Sequence, residues 1–171
     1  TEFLSLWLEM GLHPNFIGEP SFVMLRRSLM EKIGTFLEDM PQNLDSEYWI
    51  RCLLQTNWYY VRRSLGAFRV HSAGTSAVNQ RDGKGLFDRF RCFENLISLL
   101  PEGNLKTTAL RAQQKALDGM MEKFFTRLTS QASVKVGGNR SRLISFACKH
   151  PLLISESLVR CWWKKFTKKN R

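Results

Sequence analysis

The spacing of apolar residues changes near residue 80, and that change limits what this chain can fold into. Before it, apolar residues come in short continuous runs. Phe22-Val-Met-Leu25 is one; Trp58-Tyr-Tyr-Val61 and Leu65-Gly-Ala-Phe-Arg-Val70 are two more. Runs this short, bounded by turn residues, predict buried strands: one over residues 21–27, and a pair or one bent strand over 58–70. After residue 80 the period becomes helical. Leu86, Phe90, Phe93, Ile97 and Leu100 form one stripe in steps of four and three; Leu110, Leu117, Met121, Phe124 and Leu128 form another. The expected fold class is α/β with few strands, followed by an all-α C-terminal extension.

Shorter elements fit between these. Residues 3–12 predict a helix closed by Gly11. Ser28-Leu-Met-Glu31 has the form of a capping box, opening a short helix that Gly34 ends. Asp45 is expected to cap a helix reaching about Gln55, with Trp49, Cys52 and Leu53 turned inward. Pro151 divides two further helical segments, residues 141–150 and 151–168.

With 171 residues, 43% of them apolar, the chain is long enough for a real core and too apolar for disorder. Its net charge of +11 is concentrated at one end, because residues 138–171 carry nine basic side chains against Glu156 alone. A basic tail seeks phosphate, on an anionic membrane surface or on nucleic acid. No apolar run is long enough to cross a membrane, and no signal-peptide layout opens the chain. Cys52, Cys92, Cys148 and Cys161 lack zinc-site spacing. Each lies in an apolar stretch, which suits buried free thiols in a reducing compartment, with a disulfide pair left open.

Four segments in order carry a resemblance. Gly18-Glu-Pro-Ser21 leads into the apolar run; Gly34-Thr-Phe36 follows a short helix. Asp45-Ser-Glu-Tyr-Trp-Ile-Arg51 opens the next helix, and Leu65-Gly-Ala-Phe-Arg-Val-His71 ends the first part at Gly74-Thr-Ser76. Together, residues 15–76 resemble the second, acceptor-side half of a GT-A fold glycosyltransferase of family 2. The resemblance implies an inverting transferase that joins a sugar from a nucleotide-sugar donor to a glycan or lipid-linked acceptor, in assembly of a surface polysaccharide. It implies that residues 1–80 are the C-terminal half of the transferase domain; apolar spacing and charge add 81–137 as a helical extension and 138–171 as a basic amphipathic helical tail. It also implies a divalent metal, magnesium or manganese, held by an Asp-x-Asp motif in a nucleotide-binding half. The sequence contains no Asp-x-Asp. The chain alone is therefore expected to need no cofactor and to transfer no sugar.

By the same resemblance Asp45 is the catalytic base and Arg51 its acceptor-side companion; Leu44 stands where many members carry a Glu before the Asp. Gly18, Glu19 and Ser21 line the acceptor pocket. Arg69 and His71 contact the diphosphate, and His71 helps hold the metal. The chemistry is coherent, since inversion needs a base at the acceptor hydroxyl and cations at the leaving group. A base at a helix N-terminus needs burial or a second acid, Glu19 or Glu47, to keep its proton affinity up. Each residue also has a plainer reading: Asp45 as a cap, Gly18 as a turn former, His71 as a strand-end histidine bonded to backbone.

In the tail, helical register puts Ile154, Leu158, Val159, Trp162, Trp163 and Phe166 on one broad side, with Arg160, Lys164 and Lys168 opposite and Lys165 and Lys169 between. Tryptophans flanked by lysines suit an anionic membrane interface. The expected location is cytoplasmic and peripheral at the inner membrane face, with nucleic acid disfavoured. A second reading is a non-catalytic basic adaptor that binds anionic lipid or nucleic acid. A third is a purely structural helical interaction domain built on residues 86–131; for the tail itself the alternative is a helix docked on the core with a solvated basic face.

Overall fold

The computed structural model describes residues 2–67, 69, 74–81, 87–129 and 144–169. Among them the regular structure is helical: α1 (Glu2–Glu9), α2 (Arg27–Ile33), α3 (Leu44–Leu53), α4 (Thr75–Arg81), α5 (Asp88–Leu99), α6 (Asn104–Thr129), α7 (residues 144–149) and α8 (Pro151–Lys169). The chain divides into two compact units at Ala112, inside α6.

The expected α/β class is overturned, because the described residues contain no strand and no sheet. The apolar run at 21–27 breaks into a single 3-10 turn, Pro20–Phe22, an extended stretch, and the start of α2. Val23 and Arg26 keep strand-like dihedrals, with ψ of 134° and 136°. Extended backbone becomes a strand only when its N–H and C=O groups meet a partner. Here Met24 is 97% exposed, so this stretch is not the buried strand that its composition suggests. The described part of 58–70 is likewise irregular and exposed from Tyr59 onward. It lies against the 3-10 turn at Gly66, where an added Cβ would sit 2.5 Å from the Phe22 ring.

The first unit is built around α3, which packs against α2 and α5. Ser46 through Ile50 and Cys52 are all buried, so α3 is enclosed on nearly every side. Phe90 and Phe93 of α5, and Leu100 just past its end, are buried at the expected spacing, while Leu96 is buried beside the expected Ile97, which is half-buried. Leu4, Trp7 and Leu8 of α1, with Leu12 and Met40, complete the core. Asp88, at the start of α5, is buried and accepts a 2.7 Å hydrogen bond from the Gln42 amide. It ties the loop before α3 to α5, and burial raises its proton affinity.

Two expected caps are displaced. Helix α3 starts at Leu44 with Asn43 before it, so Asp45 lies in the first turn rather than at the cap. Helix α2 starts at Arg27, and Glu31 pairs with Arg27 at 2.9 Å instead of closing a box with Ser28.

In the second unit, Leu117 and Met121 of α6 and Ile154, Ser157 and Cys161 of α8 are buried. Asp118 joins the two helices, accepting from Ser157 Oγ at 2.7 Å and from Arg160 Nε at 3.2 Å. All four cysteines are free thiols; Cys52, Cys92 and Cys161 are buried as expected, whereas Cys148 is exposed. No helix among the described residues is long and apolar enough to cross a membrane.

Candidate acceptor site at the start of α3

Asn15 organises the turn that meets α3. Its side-chain oxygen accepts from the Ile17 and Gly18 amides at 3.3 and 3.1 Å, an Asx-type arrangement that shapes the bend locally. Its amide nitrogen donates to Asp45 Oδ2 at 2.8 Å and to the Gly18 carbonyl at 3.2 Å. Gly18 takes φ of 93°, a conformation costly for any residue with a Cβ. The indole N–H of Trp49 also donates to the Gly18 carbonyl, at 2.9 Å. Two long-range bonds thus fix the Asn15–Gly18 turn against α3: Asn15 donates to Asp45, and Trp49 donates to the Gly18 carbonyl.

Asp45 is half-buried, and its Oδ1 accepts from the Ser46 amide at 2.7 Å. Burial raises the Asp45 pKa above the ordinary carboxylate value, and bonds from Ser46 and Asn15 offset only part of the rise. Glu19 is also raised, first by burial and then by the charge on Asp45. Of the two candidate acid neighbours, Glu19 is the one that shares this site electrostatically. An aspartate with raised proton affinity has the character of a general base.

Glu47 has a different role. It is buried and pairs with Arg51 one turn on, Nε to Oε1 at 2.9 Å. Arg51 also donates to the Ile33 carbonyl at 2.7 Å and the Thr35 carbonyl at 2.8 Å, and its guanidinium lies 5.0 Å from the Tyr48 ring centre. Its donors are largely committed within the protein. Arg51 therefore pins the end of α2 and the Gly34-Thr-Phe36 loop to α3. That loop brings Phe36 onto Tyr48, with ring centres 4.2 Å apart. The described contacts make Arg51 a positioning residue rather than a free acceptor ligand.

The remaining expected residues are not all brought together. Ser21 lies exposed in the 3-10 turn next to Glu19. Arg69 is exposed, and the described contacts of Asp45 and Glu47 do not include it. His71 lies outside the described residues. Among the described residues no group of three His, Cys, Asp or Glu side chains could hold a metal ion. In the tail, Trp162, Trp163 and Lys164 are exposed. Lys165, Lys168 and Lys169 belong to α8 by backbone, and their side chains lie outside the described set. Asn15 is the site residue that sequence reasoning missed. Its signal was an Asn three residues ahead of a turn glycine, but nothing local announces that the same side chain reaches Asp45.

No family model matches the chain, and no solved structure matches it. A curated protein of Mycobacterium tuberculosis (strain CDC 1551 / Oshkosh), "Uncharacterized protein MT1568", is 36% identical over 97 residues. The match takes in 54% of this chain but only 30% of that protein, so the chain spans less than a third of the relative's length.

Proposed function

We propose that this chain supplies the acceptor-side wall of an inverting, nucleotide-sugar-dependent glycosyltransferase that works in surface glycan assembly. The observation that carries the reading is the fixed meeting of the Gly18-Glu19 turn with Asp45, bridged by Asn15 and Trp49. These residues lie some thirty positions apart in sequence, and the four-segment resemblance assigns both to one pocket. In the proposed step an Asp45 oxygen takes the proton from the acceptor hydroxyl. The hydroxyl oxygen bonds to the anomeric carbon as the bond to the nucleoside diphosphate breaks, and the diphosphate leaves with the electron pair. Asn15 holds Asp45 in place, and burial keeps its proton affinity high enough to accept. Donor-binding residues are proposed to come from another part of a longer polypeptide, which agrees with the partial span of the relative. The reading puts the chain in the cytoplasm, at the inner face of the membrane for a lipid-linked acceptor.

The test is sugar transfer by a polypeptide that joins this chain to its donor-binding half. Asp45→Asn keeps the shape and one acceptor oxygen but removes the base. It should lower kcat by roughly 100-fold or more while changing the acceptor KM little. Near-normal turnover would reduce Asp45 to a structural residue and end the proposal.

A further inference from the structure

Helix α8 presents an apolar face that the fold leaves uncovered. Leu152, Val159, Trp162, Trp163 and Phe166 are 77%, 65%, 63%, 61% and 52% exposed. At 100° per residue they fall in one sector, opposite Ile154, Ser157 and Cys161, which are buried. From Leu152 to Phe166 the stripe runs about 21 Å along the helix. Trp162 and Phe166 stack within it, with ring centres 5.5 Å apart and planes at 19°. The segment that carries it is strongly basic. Glu156, the only acid of residues 138–171, is drawn to Arg160 at 3.6 Å, while nine basic residues share the segment.

We infer that this face of α8 docks in the interface of an anionic lipid bilayer, with the helix lying in the membrane plane. The occupant follows from the combination of charge and shape. A second copy would set two strongly basic segments against each other, a like-charge contact that costs free energy. Leu152 and Val159 offer a nucleic acid neither a stacking surface nor a hydrogen bond. A bilayer with acidic headgroups accepts both parts: the aromatic and aliphatic side chains enter the acyl boundary, and the net positive charge of the segment is drawn to the headgroup phosphates. Helix α8 is too charged and not apolar enough to cross, which leaves the surface orientation. The inference does not depend on Asp45 or on sugar transfer.

The experiment is co-sedimentation of the 171-residue chain with vesicles of phosphatidylcholine, with and without phosphatidylglycerol, alongside intrinsic tryptophan emission. Binding is expected only with phosphatidylglycerol, with a blue-shifted emission, and should weaken as salt is raised. Replacing Trp162 and Trp163 together by Ala should lower partitioning roughly tenfold or more by removing the inserted area. Leu152→Gln, on the same face one end away, should lower it independently. Each Lys→Gln change at 164, 165, 168 or 169 should cost about fivefold. Circular dichroism of each variant matching the parent keeps the comparison free of unfolding. Equal binding to neutral vesicles, indifference to the tryptophan pair, a dimer that the pair's loss dissolves, or capture by duplex RNA without capture by vesicles would each overturn the inference.

Discussion

The two units use the same side chain in opposite ways. Trp49 is 1% exposed, its ring meets Tyr48 and Phe36 edge-on at 5.5 and 6.3 Å, and its N–H is committed to the Gly18 carbonyl. Trp162 and Trp163 stand more than 60% exposed on α8. In the first unit the indole is a fixed strut whose polar end closes a turn. In the second its area is left over after folding. The difference teaches that an aromatic-rich segment has no intrinsic role; α3 is enclosed by neighbours on several sides, whereas α8 buries only one face.

The contrast is broken most sharply by truncation. Trp49→Ala should destabilise the first unit by about 3–5 kcal/mol, from lost burial and the lost bond to the Gly18 carbonyl. Trp163→Ala should change stability by less than about 0.5 kcal/mol. Urea unfolding of the two variants checks both, and a comparable loss from Trp163→Ala would mean that its exposed face is covered in solution.

Burial also separates two ion pairs within the first unit. Arg51→Met strands Glu47, whose side chain is 3% exposed, and should cost about 3 kcal/mol. Arg27→Met breaks an i,i+4 pair of equal length whose side chains are 91% and 64% exposed, and should cost under about 0.5 kcal/mol. Identical losses would show that burial is not what separates them.

The smallest expected effect is a dependence on pH. Asp45 and Asp88 both have folded pKa values raised above 3.8, mainly by burial. In that window the folded state binds more protons than the unfolded state. Their contribution is therefore complete below 3.8 and declines as pH rises through the raised values. Replacing both by Asn should flatten that decline in denaturation midpoints measured from acid to neutral pH. An unchanged or steeper decline would reverse the assignment.

Helix α5 was legible because its signal is periodic and local: Phe90, Phe93 and Leu100 recur at helical spacing, and all are buried. The Glu47–Arg51 pair was equally available, since i and i+4 face each other on any helix. The runs at 21–27 and 58–70 misled for a physical reason. A short apolar run reports affinity for buried extended structure, but a ladder requires a partner that the run does not encode. The extended dihedrals of Val23 and Arg26 are what that affinity leaves when no partner is present among the described residues. Of the site, Asp45 and the Gly18-Glu19 turn could be picked out by resemblance. The bridge through Asn15, and the electrostatic influence of Asp45 on Glu19, needed three dimensions.

The uneven burial of the cysteines gives the molecule a chemical address. Cys52, Cys92 and Cys161 are shielded, and burial raises each of their pKa values, so their thiolate fractions are suppressed. Cys148 alone faces solvent, in α7 just ahead of α8. A brief exposure to maleimide should therefore add a single adduct, which peptide mass spectrometry would locate. An environment-sensitive dye placed there would read the surroundings of the basic helix without touching the first unit. The native chain thus carries its own labelling position, with no engineered residue.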